Sequence, residues 1–187
     1  MPFLSEADRR ALLGLARQAA SDAVSRDSLP QQIPHDGVFA ERRGVFVSLH
    51  VKRRLRGCIG VIEAEEPLGD SIVRCAASAA LQDPRFPPVR QGELEELEIE
   101  ISLLSPPAAI SLPQIEIGHH GLLVCRGAQR GLLLPQVATE HHFTPQQFLE
   151  ETCRKAQLTR EAWREPETQV FGFTCEVFSE QRQTREL

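Results

Sequence analysis

Leu55-Arg56-Gly57-Cys58-Ile59-Gly60 sets a thiol between two glycines, directly after the basic run Lys52-Arg53-Arg54. Just upstream, Val45, Val47 and Leu49 alternate with Phe46, Ser48 and His50, which is the period of a strand with one buried face. A second strand is expected from Arg56 to about residue 64, with Lys52-Arg53-Arg54 at the turn of a hairpin. Adjoining hairpin strands with helices interspersed predict an α+β fold, an antiparallel sheet flanked by helices.

The flanking sequence extends this pattern. Ser5 followed by Asp8 has the spacing of a capping box, and Leu12, Leu13, Ala16, Ala19, Ala20 and Ala23 recur at helical intervals, predicting a helix over 6–25. Leu68, Ile72, Cys75, Ala76, Ala79 and Ala80 mark a second helix that ends before Pro84. A strand over 98–104 is closed by Pro106-Pro107, since proline cannot donate to a ladder. Leu122 to Cys125 and Gly131 to Leu134 read as two strands around a turn containing Gly127 and Gly131. Thr144, Pro145 and Gln147 punctuate a third helix running to about Lys155, with Phe143 placed to staple onto Phe148. A short helix from Thr159 and a strand over 170–178 complete the reading. The prolines at 84, 87, 88, 106, 107 and 113 suggest a less regular lobe mid-chain.

The chain has 187 residues, enough for one domain or for a larger and a smaller lobe sharing a core. Its 41% hydrophobic and 25% charged residues are ordinary for a globular protein. Net charge −5 argues against general nucleic-acid binding. Five cysteines, none in a Cys-x-x-Cys pair and none behind a secretory segment, read as reduced thiols in a cytoplasmic protein. No apolar run approaches the ~20 residues of a membrane-spanning helix. A Gly-rich phosphate loop after a strand is likewise missing. Residues 181–187 form a polar C-terminal tail beyond a structured span of 5–180.

Four blocks carry a resemblance: Leu55 to Gly60; Asp83-Pro84-Arg85-Phe86-Pro87-Pro88; Gly118-His119-His120-Gly121-Leu122; and Leu133-Leu134-Pro135-Gln136-Val137-Ala138, continuing to Glu140. In these the chain resembles the AMMECR family, called AmmeMemoRadiSam system protein A in prokaryotes. The likeness runs from the first helix to the last strand. Two departures are Phe143, where the family usually has Trp, and Gln157, where it often has Gly. The resemblance implies a single domain of AMMECR type with a larger and a smaller lobe, and a cleft near the hexapeptide. It also implies association with a Memo-type protein, a relative of metal-dependent dioxygenases, and with a radical S-adenosylmethionine protein. It assigns no reaction and no cofactor.

Cys58 admits two readings. A free cysteine packs well as a small buried hydrophobe. Alternatively it is a nucleophile whose thiolate is favoured by Arg56 and the basic run, because nearby cations lower a thiol pKa. Residues 56 and 58 share a strand face in the period-two picture, and 57 and 59 face away. Gly57 and Gly60 would permit close approach of either a ligand or another backbone. Cys75 and Cys153 fall on apolar helical stripes, and Cys175 alternates with Phe171, Phe173 and Val177, so these three are expected in the core; Cys125 fits core or rim.

A catalytic thiol usually needs a base, and His120 and Glu140 are candidates because both lie in family-matching blocks. Their structural readings are a turn histidine and a surface glutamate beside a helix cap. His119, His141 and His142 fall outside the pattern. Cys58, His120 and Glu140 could ligate zinc or iron, but nothing in their spacing requires a metal, and none is expected. Asp83 to Pro88 reads as a rigid turn with Asp83 as acceptor, and also as a clamp presenting Arg85 to an anion with Phe86 as an apolar wall. Two functions follow: an enzyme using Cys58 on an anionic small-molecule or nucleic-acid-derived substrate held by Arg56 and Arg85, or a non-catalytic module that binds those partners.

Overall fold

The computed structural model describes residues 4–63 and 65–180; the expected tail at 181–187 lies outside them. In chain order the elements are α1 (Glu6–Arg26), β1 (Val45–Val51), β2 (Arg54–Val61), α2 (Leu68–Leu81), β3 (Leu97–Leu104), β4 (Ala108–Ala109), β5 (His120–Arg126), β6 (Gln129–Leu133), α3 (Pro135–Glu140), α4 (Pro145–Lys155) and β7 (Gln169–Ser179), joined by short 3₁₀ turns. The protein is α+β with antiparallel sheet, as the sequence predicts. The described residues divide into two compact units, 4–103 with 176–180, and 104–175. Among the described residues no helix is long and apolar enough to cross a membrane.

In the first unit β1 lies between β2 and β3, antiparallel to both. Val45, Val47 and Leu49 pair with Val61, Ile59 and Gly57 on one side and with Leu103, Ile101 and Ile99 on the other, so one face is continuously apolar. That face is covered by α1 and α2, whose Leu12, Ala16, Ile72, Cys75 and Ala76 are fully buried with it. The Ser5–Asp8 capping box starts α1 as expected. The C-terminal residues return to this unit through ions: Glu176 accepts from Arg9 Nε at 2.9 Å, and Glu180 pairs with Arg17.

The second unit is built around β5, which pairs with β6 and β7, while β4 pairs with β7. Leu122, Phe148 and Leu149 form one buried cluster, and Val124, Cys153, Ala156 and Ala162 a second. The capping box of Thr144 and Gln147 opens α4 with Pro145 in its first turn, and Phe143 packs against the cluster holding Phe148.

Three local expectations are corrected. The β5–β6 turn uses Gly127 at φ 57, whereas Gly131 lies inside β6 against the end of α4, where an added Cβ would come within 2.3 Å of the Ala156 nitrogen. Residues 135–140 form a helix where the sequence predicts none; six residues starting at proline are too few to show a helical period. Cys175 is half-buried rather than core, and Val177 is exposed. Along β7 the buried aromatic is Phe173 in one unit and Phe178 in the other, so the odd-numbered alternation does not run through the strand.

Candidate functional site

Cys58 sits on β2 on the sheet face opposite α2. Gly57 and Ile59 point toward the helices: a Cβ on Gly57 would lie 2.0 Å from the Ala79 carbonyl oxygen of α2, and Ile59 packs on the core. Gly60 is pressed by an aromatic ring instead, since a Cβ there would come within 2.2 Å of Phe46. Both glycines thus let a neighbour of this chain approach closely.

The backbone at Cys58 is turned to the free edge of β2. Its N–H donates to Asp83 Oδ2 at 2.8 Å, and its carbonyl accepts from Arg85 Nη2 at 3.1 Å. With those groups directed outward, Cys58 and its register partner Ser48 form a non-hydrogen-bonded pair, the kind that brings side chains closest. The Ser48 hydroxyl accordingly donates to the Cys58 sulfur at 3.2 Å. The next residue across the sheet is Glu100, also in register with Ser48. Cys58 is partly exposed, while Cys75 and Cys153 are buried. Burial pushes the Cys75 thiol up to about 11 against the lowering effect of Arg74, and burial also raises Cys153.

Asp83 is the anchor of this edge. It is 4% exposed, accepts from Arg85 Nε at 2.9 Å and Nη2 at 2.7 Å, and also takes the Arg85 amide at 3.1 Å. This is the Asx-type turn expected of the block. The Arg85 hydrogen bond, and then the Cys58 amide, hold the Asp83 carboxyl well below the usual carboxylate range despite burial. The same bond raises Arg85, with smaller contributions from the Cys58 thiol. Arg85 stays largely exposed and lies 5.5 Å from the Phe86 ring centroid.

Arg56 is engaged differently. It forms a fork with Glu93 at 2.8 and 3.0 Å and donates to the Pro87 and Pro88 carbonyls at 2.6 and 3.0 Å, so every guanidinium nitrogen is used. Its bond to Glu93 lowers that carboxyl's pKa. Arg56 ties β2 to the loop at 87–93.

His120 and Glu140 belong to the second unit. The His120 ring is fixed at the start of β5 by the Glu116 N–H, which donates to Nδ1 at 3.1 Å, and by an edge contact with His119 at 4.8 Å between centroids. Glu140 is exposed at the end of α3. Among the described residues no three His, Cys, Asp or Glu side chains gather as a metal-binding group. In the sequence Asp83 is legible only as a turn acceptor and Ser48 carries no motif, although a hairpin register places 48 opposite 58.

A family model described as AMMECR1 matches residues 13–178. A protein of Methanothermobacter thermautotrophicus is 44% identical over 186 residues, covering 95% of this chain and 96% of its own. A protein of Aquifex aeolicus is 40% identical over 181 residues, with 92% and 93% covered. The crystal structure of an uncharacterised protein from Pyrococcus horikoshii matches with a TM-score of 0.85 at 35% identity, over 95% of this chain and 94% of that one. On a match this long, carried by sequence and fold together, the chain belongs to the AMMECR1 family.

Proposed function

We propose that the sheet face around Cys58 is a reactive site for an anionic small molecule, with the Cys58 sulfur as nucleophile and Arg85 as the contact for the anion. The observation that carries this reading is the contrast among thiols. Cys58, Cys125 and Cys175 are partly exposed, whereas Cys75 and Cys153 are buried among apolar side chains; of the partly exposed three, Cys58 has the Ser48 hydroxyl on its sulfur and Arg85 on its carbonyl. The Ser48 hydroxyl bonds the sulfur and the Arg85 guanidinium bonds the Cys58 carbonyl, so a polar donor and a cation stand at the same residue. Asp83 offsets the charge of Arg85 but also fixes its orientation, with the guanidinium still largely exposed. Phe86 under that guanidinium supplies the apolar wall. His120 and Glu140 carry no step in this reading.

Brief treatment of the native protein with iodoacetamide, followed by mapping of modified peptides, tests it. Cys58 should be alkylated while Cys75 and Cys153 react only after unfolding. Protection of Cys58 equal to that of the buried pair would sink the nucleophile.

A second reading, a module that docks Memo-type or radical S-adenosylmethionine proteins without chemistry, is favoured by one observation. Gly57, Gly60 and Arg56 each have a packing role that needs no ligand. Cys58→Ser should leave such docking intact, and charge reversal at Arg53 and Arg54 should weaken it in a salt-sensitive way. Loss of association in Cys58→Ser would count against docking without the thiol.

A further inference from the structure

The second unit contains a cavity of about 580 Å³ lined by Leu133, Val137, His141, Phe143, Glu151, Arg154 and Lys155. This is within the size range of small-molecule sites. Its walls are of two kinds. Leu133 and Val137 are half-buried and apolar, and beside them the rings of His141 and Phe143 stack, with centroids 5.2 Å apart and planes inclined by 14°. His142 between them has a left-handed backbone, φ 52, which brings rings two positions apart onto one another. A non-glycine residue there costs about 1 kcal/mol or more.

The other wall is cationic. Glu151, the only carboxylate in the lining, is already taken by Arg154 at 2.8 Å and Arg160 at 3.1 Å. Lys155 is exposed and has no acidic partner among the described residues. The lining therefore holds two cations, Arg154 and Lys155, and one carboxylate that Arg154 and the neighbouring Arg160 already engage. The position of Arg154 and Lys155 in the last turn of α4 suits the helix dipole, but that interaction is with backbone carbonyls and leaves the ammonium able to meet an anion.

We infer that this cavity binds a small organic anion carrying a flat ring, the ring lying against Leu133, Val137 and the His141–Phe143 stack and the anionic group meeting Lys155. The apolar wall selects the ring and the ammonium selects the charge, so neither half alone binds well. The site shares no residue with the Cys58 face, and its test is independent of thiol reactivity.

Amide NMR titration of the full chain with 1-naphthoate, 1-naphthalenemethanol and acetate separates the two contributions. Naphthoate should give saturable shifts confined to residues around 133–143 and 151–155. The neutral alcohol should bind about tenfold more weakly, and acetate should not saturate at the same concentration. Lys155→Met keeps the stem and removes the charge; it should weaken naphthoate roughly fivefold and leave the alcohol unchanged. Phe143→Leu should weaken both ring-bearing probes. Naphthoate shifts elsewhere, no saturation, equal binding of naphthoate and alcohol, or unchanged naphthoate affinity in Lys155→Met would each overturn the site.

Discussion

Asp83 Oδ2 receives the Cys58 amide and one nitrogen of Arg85, while Oδ1 receives a second nitrogen and the Arg85 amide. A buried carboxylate so arranged stabilises the folded state only while it is ionised. Replacing Asp83 by Ala strands the Cys58 N–H and leaves Arg85 unpaired, so it should cost about 3 kcal/mol in denaturant unfolding. The pH dependence has a defined sign. The folded pKa is depressed below the unfolded value, so the stabilisation is complete above the ordinary carboxylate range of about 4 and is lost as pH falls below it toward the folded value. Asp83→Asn should be less stable at neutral pH and should flatten this part of the acid limb. An equally steep limb in the variant would mean that Asp83 contributes nothing to it. The bonds that define Asp83 and Arg56 join residues 25 and 37 positions apart, which is why local sequence showed a turn and a basic strand but neither latch.

The β1–β2 hairpin was legible from alternation alone, because a one-residue slip would turn Val45, Val47 and Leu49 away from the helices. Its turn chemistry was not. Lys52 and Arg53 have φ 51 and 64, where a tight hairpin turn favours Asn-Gly. The double change Lys52→Asn and Arg53→Gly should therefore stabilise the protein by about 1 kcal/mol, read as a higher denaturation midpoint. No gain, or a loss, would mean that the Lys52 contact with Glu96 at 3.3 Å outweighs the turn strain. The start of α4 was legible for the opposite reason: Thr144, Pro145 and Gln147 act within one turn, and the cap forms as their spacing requires. Short α3 and the packed Gly131 are not legible in the sequence because six residues show no period, and a glycine reads alike in a turn and under a helix end.

At the scale of the whole molecule, the two units divide the motifs. The hexapeptide, Asp83, Arg85 and Phe86 belong to the first, and His120, Glu140 and the ring-lined cavity to the second. The antiparallel α+β fold and the family were both readable from the chain, since hairpin alternation and four distinctive blocks are local properties. The packing roles of Gly57, Gly60 and Arg56 became apparent only when α2, Phe46 and Glu93 were in place. The central claim joins an accessible sulfur to a guanidinium that can receive an anion. It is tested most directly by comparing the rates at which iodoacetate and iodoacetamide alkylate Cys58 in the native protein, relative to the same thiol in the unfolded chain. The native site should favour the anionic reagent several-fold more than the unfolded thiol does, roughly 1 kcal/mol of attraction, and Arg85→Gln should abolish that preference. Equal ratios in native and unfolded protein, or a preference that survives Arg85→Gln, would contradict it.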